Sequence, residues 1–250
     1  MSVFTFKKFT VINERSAMKV NTDGVLLGAM MTIKPDDRTL LDVGTGTGTI
    51  ALMAAQRLCE LTGSGPATVC RDASIRIDAI DVDEPSATEA AANFRNSPWS
   101  GILHAHYASL DQFSSSAGKY DLIFSNPPYF DNALQAPEER RNAARHTATG
   151  LSYREILDFA ADHLTSTGRV AMVLPADTEH DLTRHARMCG LHLHKITRIR
   201  TVPRKAPSRI VAEFSRQRTD ATQDTILTIQ DSGEYTQEYL DLMHEFYLFA

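Results

Sequence analysis

Thr39-Leu40-Leu41-Asp42-Val43-Gly44-Thr45-Gly46-Thr47-Gly48 reads as a buried strand that ends in an acid and turns through a glycine loop, with an apolar helix from Thr49 to Leu61 behind it. Strand, loop and helix in that order open an α/β fold. Glycines permit positive φ and let the backbone approach a ligand closely, and the first helical turn offers amides without intrahelical partners. This is therefore a nucleotide-type cofactor loop. A dinucleotide fingerprint would space its glycines G-x-G-x-x-G, whereas Gly44, Gly46 and Gly48 alternate strictly and Asp42 precedes them by two residues.

Downstream, Arg76-Ile77-Asp78-Ala79-Ile80 forms a second strand that ends in Asp81-Val82-Asp83-Glu84-Pro85, with Pro85 suited to the first turn of the next helix. A carboxylate at this strand end can accept from both ribose hydroxyls, so Asp81 is the ribose candidate. Asp83 reads as the helix cap. The polar stretch from Cys59 to Ser74 lengthens the connection and is expected to be a surface insertion over 59–74.

The alternation continues with strands over Ile102 to Leu110, Asp121 to Ser125 and Arg169 to Pro175, separated by a helix over Ser152 to Leu164 with a capping-box start. A helix from Asp177 to Met188, strands over His192 to Arg200 and Arg209 to Arg216, and a last strand-like Thr225 to Ile229 follow. This order predicts a doubly wound sheet. On the C-terminal segment Tyr239, Leu242 and Phe246 share one helical face, which reads as core.

With 250 residues and 42% hydrophobic content, one α/β domain over 1–250 is expected. No run of eighteen apolar residues suggests a membrane span, and Met1 to Lys8 lacks a secretory signal, so a cytoplasmic protein is expected. Cys59, Cys70 and Cys189 form no C-x-x-C pair and read as reduced thiols. His104/His106 and His192/His194 alternate at strand spacing without a carboxylate or cysteine to complete a set, so no metal is expected.

The strand over Tyr120 to Ser125 stops at Asn126-Pro127-Pro128-Tyr129. An exocyclic or amide nitrogen is a poor nucleophile because its lone pair is delocalised, so two acceptors must hold its N–H bonds while a methyl donor approaches. Asn126 Oδ1 and the Pro127 carbonyl are the candidate acceptors, Pro128 stiffens the turn, and Tyr129 offers a face for a flat substrate. A plain strand-ending turn is the other reading.

The glycine loop resembles the cofactor motif of the S-adenosylmethionine-dependent methyltransferases. Phe4-Thr5-Phe6-Lys7-Lys8-Phe9, Met18-Lys19-Val20-Asn21-Thr22-Asp23-Gly24-Val25-Leu26-Leu27-Gly28, Ser97-Pro98-Trp99, the Asn126 corner and Phe246-Tyr247-Leu248-Phe249 occur in order. Together they resemble the bacterial tRNA(1)(Val) adenine-37 N6-methyltransferase family, with Asn21 standing where that family usually has Gly. The resemblance implies a Rossmann-like seven-stranded sheet of order 3-2-1-4-5-7-6 with helices on both faces, an N-terminal extension over 1–34 on the cofactor side, S-adenosylmethionine as cofactor and a tRNA adenine as substrate. It assigns Asp42, Gly44, Gly46 and Gly48 to the cofactor loop, Asp81 to the ribose and Asn126 to Tyr129 to the base. Where relatives place an acid for the cofactor adenine this chain has Ser109, with Asp111 nearby as a substitute. Thr22 and Asp23 either close over the cofactor or cap the helix that follows.

The formal net charge of −5 sits oddly with an RNA partner, but its distribution is uneven. Lys195, Arg198, Arg200, Arg204, Lys205 and Arg209 crowd a stretch from 184 to 218 whose only acid is Glu213, and Arg140, Arg141, Arg145 and His146 follow the Asn126 corner. Both are candidate RNA contacts, with a solvated charged face as the other reading. No obligate protein partner is evident. A protein glutamine methyltransferase would use the same Asn-Pro-Pro-Tyr corner. A DNA adenine methyltransferase lacks its separate target-reading domain here. A noncatalytic cofactor-fold RNA-binding subunit is disfavoured by Asp42, Asp81 and Asn126.

Overall fold

The computed structural model describes residues 2–128 and 151–250. An N-terminal hairpin of β1 (Val3–Thr5) and β2 (Thr10–Ile12) precedes α1 (Thr22–Met30). The Asp42 unit then gives β3 (Thr39–Val43) and α2 (Thr49–Leu61), the helix bounds that the apolar run implied. Next come α3 (Pro66–Val69), β4 (Arg76–Asp81), α4 (Glu84–Arg95), β5 (Leu103–Tyr107), α5 (Leu110–Ser114) and β6 (Tyr120–Ser125). Beyond residue 150 lie α6 (Tyr153–His163), β7 (Leu164–Pro175), α7 (Glu179–Met188), β8 (His192–Arg200), β9 (Arg209–Ser215) and β10 (Gln223–Thr228). A small hairpin, β11 (Gln230–Asp231) with β12 (Glu234–Tyr235), leads to α8 (Gln237–Met243). Within 59–74, Cys59 and Val69 are buried and most of the remaining residues are exposed or half-buried.

One sheet runs β10-β8-β9-β7-β6-β3-β4-β5. From β5 to β8 this is the expected 3-2-1-4-5-7-6 arrangement, and β10 adds an eighth strand where seven were expected. Its first four residues are exposed and it pairs in parallel with β8, so backbone hydrogen bonding rather than apolar alternation makes it a strand. Only β9 runs against its neighbours in this sheet. All other strands therefore deliver their C-terminal ends to one edge, where β9 begins.

Strand periodicity divides the core between the two faces of the sheet. Leu40, Ile77, Leu122, Phe124, Ala171 and Val173 pack on one side with α1, α2, α4 and α8. Leu41, Ile80, Ile123, Val170, Met172 and Leu174 face the other side, with α6 and α7. Each of these fully buried side chains larger than alanine contributes about 1.5–3 kcal/mol. At the opposite edge from the strand C-termini, fully buried Arg169 pairs with Asp37 and donates from Nε to the Thr32 carbonyl at 2.8 Å, tying the α1–β3 connection to β7. No helix among the described residues is long and apolar enough to cross a membrane.

Candidate active site

The chain proceeds from β3 through β4 to β5 and then returns to place β6 on the other side of β3. Ligands in open α/β sheets bind at such a reversal, beyond the carboxyl ends of the strands. Here the reversal brings the glycine loop after β3 beside the Asn126 corner after β6. Ser125 Oγ donates to the Val43 carbonyl at 2.6 Å and pins the two strand ends together.

Gly44, Gly46 and Gly48 have φ of 74°, 56° and 82°, a region that strains other residues. Gly48 has a second reason to lack a side chain, because a Cβ there would lie 2.5 Å from the Phe94 ring of α4. Asp81 braces the loop from below: its Oδ2 accepts from Gly46 N–H at 2.8 Å and its Oδ1 from Asp83 N–H at 2.9 Å. Each oxygen keeps a second lone pair for a ribose hydroxyl. Burial holds the Asp81 carboxyl above its ordinary range.

Asp42 is fully buried. Its Oδ2 accepts from Thr45 Oγ1 at 2.8 Å, while Oδ1 has no hydrogen-bond partner among the described residues. Buried polar atoms are nearly always paired, so an orphaned acceptor beside a cofactor loop fits a group that brings its own N–H donor. Burial, with nearby Asp81 adding to it, pushes the Asp42 carboxyl up to about 7.

A strap formed by residues 12–21 covers the loop, and α4 is what holds it. Ser86, Glu89 and Asn93 lie three and four residues apart and so share one helix face. Buried Glu89 accepts from three successive strap amides, Glu14 and Arg15 at 2.8 and 2.7 Å and Ser16 at 3.1 Å. Asn93 accepts from Ile12 N–H at 2.8 Å and donates to the carbonyls of Ile12 and Thr47 at 3.0 and 2.9 Å, which links strap and glycine loop through one side chain. A Cβ at Gly46 would meet Ser16 Oγ at 3.3 Å. None of these α4 residues stands out in the sequence; a Glu and an Asn on the buried face of an alanine-rich helix were the available signal.

The remaining candidates are placed as follows. Asn126 and Pro127 are buried and Pro128 is exposed; Tyr129, Arg140, Arg141, Arg145 and His146 lie outside the described residues. Asn21, not Thr22 or Asp23, caps α1, and Asp23 Oδ2 accepts from Arg209 Nε at 2.8 Å. Ser109 caps α5 in a reciprocal box with Gln112, an engagement that the strand–helix boundary explains and the cofactor assignment did not anticipate. In the basic stretch, Lys195 Nζ lies 3.0 Å from buried Glu213 Oε1 and Arg198 bridges Glu179 and Asp224. Arg200 donates to Thr228 Oγ1 and the Pro203 carbonyl. Glu213 within the stretch and Glu179, Asp224 and Asp23 from outside it thus neutralise much of what looked like an uncompensated run, leaving Arg204 and Lys205 exposed on the turn between β8 and β9. His106 does meet a carboxylate, Asp78 Oδ1 at 2.7 Å, in a hydrogen bond between neighbouring strands.

A family model for RMKL-like methyltransferase domains matches residues 26–200. A Flavobacterium psychrophilum protein named tRNA1(Val) (adenine(37)-N6)-methyltransferase is 36% identical over 247 residues, covering 98% of this chain and 99% of its own. A Bacteroides fragilis protein of the same name is also 36% identical, covering 98% and 97%. The chain belongs to this family. It is a methyltransferase, and the family's methyl donor is S-adenosylmethionine. Among solved structures, a predicted O-methyltransferase from Agrobacterium tumefaciens superposes with a TM-score of 0.63 at 15% identity, covering 90% of this chain and 96% of that one. A methyltransferase from Pyrococcus furiosus gives 0.54 at 20% identity, covering 83% and 90%. These likenesses concern the fold, and they agree with the class I methyltransferase sheet. Within the family frame, the orphaned Asp42 oxygen, the positive-φ glycines and the Asp81 carboxylate form a donor and acceptor set that fits S-adenosylmethionine.

Proposed function

We propose that this chain methylates the N6 amine of an adenine in the anticodon loop of a tRNA, adenine 37 of a valine tRNA, in the cytoplasm. The observation that carries the proposal is the seating of the Asn126 corner beside the glycine loop at the reversal of the sheet. The names of relatives that match over 98% of the chain support this choice of substrate over a protein amide.

S-adenosylmethionine supplies an electrophilic methyl on a positive sulfonium. Asp42 and the glycine loop would orient the cofactor and Asp81 would hold its ribose, with Thr22 and Asp23 at the start of α1 and Ser109 or Asp111 after β5 as its further partners. Asn126 Oδ1 and the Pro127 carbonyl accept the two N–H bonds of the substrate amine, which favours a pyramidal nitrogen and so localises on it a lone pair otherwise delocalised into the ring. As positive charge develops on that nitrogen, both acceptors bind it more strongly than in the ground state. Alignment of nucleophile and methyl accounts for much of the remaining acceleration. Arg204 and Lys205 project from the same edge of the sheet and meet RNA phosphates.

Incubation with labelled cofactor and bulk tRNA from cells lacking the modification, followed by nucleoside identification, tests the proposal. The expected product is N6-methyladenosine. Asn126→Ala should slow single-turnover transfer about a hundredfold, or roughly 3 kcal/mol, the usual cost of deleting one transition-state hydrogen-bond partner. Label on a protein glutamine instead of tRNA, or full transfer by Asn126→Ala, refutes it.

A further inference from the structure

A primary amide has nearly the same shape either way round but opposite chemistry at its two ends: Oδ1 accepts and Nδ2 donates. Only one orientation of Asn126 can hold a substrate N–H bond, so something must select it. Asn126 Nδ2 lies 3.4 Å from Asn21 Oδ1 and 3.5 Å from Met18 Sδ. Oxygen and thioether sulfur are both acceptors, and reversing the amide would set Asn126 Oδ1 against them.

Asn21 is itself locked. Its Nδ2 donates to the Lys19 carbonyl at 3.0 Å and its Oδ1 accepts from Gly24 N–H at 2.9 Å. These backbone partners cannot exchange roles, so the chain path from Lys19 to Gly24 dictates which end of Asn21 is oxygen. That oxygen in turn dictates which end of Asn126 is nitrogen. We propose that Asn21 is a positioning residue that fixes which end of the Asn126 amide is nitrogen, and so which end is the oxygen that serves the substrate amine. The proposal rests on the adenine-methylating function above.

Two substitutions separate this role from helix capping. Asn21→Ser keeps a hydroxyl for Gly24 N–H but is one atom too short for the reach to Asn126, whereas Asn21→Asp keeps both acceptor contacts and gives up only the donation to the Lys19 carbonyl. Asn21→Ser should lower the single-turnover rate about tenfold, with cofactor-product affinity and melting temperature unchanged, and Asn21→Asp should stay within about twofold of the parent. Proton exchange of the Asn126 side-chain amide, followed by NMR without any substrate, should be faster in Asn21→Ser and near the parent rate in Asn21→Asp. The inference is overturned by a parent-like rate and exchange in Asn21→Ser, by Asn21→Asp behaving like Asn21→Ser, or by rate, cofactor affinity and melting temperature falling together. If the parent protein methylates no tRNA adenine while the amide exchange responds as expected, the proposed function fails and the positioning contact stands.

Discussion

Glu89→Ala removes the acceptor that secures the strap. Three amides, those of Glu14, Arg15 and Ser16, lose a buried carboxylate at 2.8, 2.7 and 3.1 Å. Hydrogen bonds to a charged group contribute about 1.5–3 kcal/mol each, so three at the lower bound amount to about 4.5 kcal/mol. One carboxylate shared among three neighbouring donors gives less than the sum of its parts, which brings the expected loss to about 3 kcal/mol. For a domain of this size that lowers the melting temperature by about 6–12 °C. Because the same segment carries Ser16 and Met18 against Gly46, cofactor-product affinity measured by calorimetry should weaken as well, and amide hydrogen exchange over residues 14–16 should accelerate. Glu89→Gln should fall between parent and Ala, since its single carbonyl oxygen can serve two amides while its NH2 opposes the third donor. A Glu89→Ala protein melting within about 1 °C of the parent would refute the clamp. Loss of stability with unchanged cofactor affinity would refute its link to the loop.

Asp42 makes the chain sensitive to pH. Its carboxyl sits near 7 in the fold against an ordinary 3.8, so between those values the folded chain holds a proton that the unfolded chain has lost. Stability of the cofactor-free protein should therefore fall as pH rises across that window and level off above it, and Asp42→Asn should flatten the curve in denaturant titrations. A cationic amino group on the cofactor favours the carboxylate, so cofactor affinity should rise from about pH 6 to 8 in the parent and stay flat in Asp42→Asn. Reversing Arg204 and Lys205 to Glu should weaken tRNA binding and reduce its salt dependence by about one logarithmic slope unit per lost phosphate contact, with cofactor affinity unchanged. Unaltered tRNA affinity in a filter-binding titration would remove that turn from the interface.

What the sequence made legible was local. The Asp42 to Gly48 strand–loop and the apolar run after it specify β3 and the limits of α2, because strand burial, positive φ and helix periodicity are all written within two dozen residues. Two capping residues were equally readable, Asp83 and Ser152, which both accept from the first turn of their helices, whereas the caps Asn21 and Ser109 were not. Long-range polar contacts were not. Glu89 meets residues more than seventy positions away, and nothing in the spacing of an alanine-rich helix announces that partner. For the same reason Lys195, Arg198 and Arg209 looked like free cations, although Glu213, Glu179, Asp224 and Asp23 reach them in the fold. Edge strand β10 was legible as the strand-like Thr225 to Ile229, but its place beside β8 was not, because that lies in its partner and not in its own apolar pattern.

The grip of α4 on the strap also imposes an order of events on a growing polypeptide. Residues 12–16 leave the ribosome about 75 residues before Glu89 and Asn93 do, which is roughly 4–15 s at 5–20 residues per second. During that interval the strap has no binding surface, and the short β1–β2 hairpin before it still lacks Trp99 and Tyr247, against which its rings pack. The cofactor loop emerges in between, before the segment that will cover it has anything to hold. A nascent chain thus presents the glycine loop uncovered, and ligand present during synthesis would meet it in that open form.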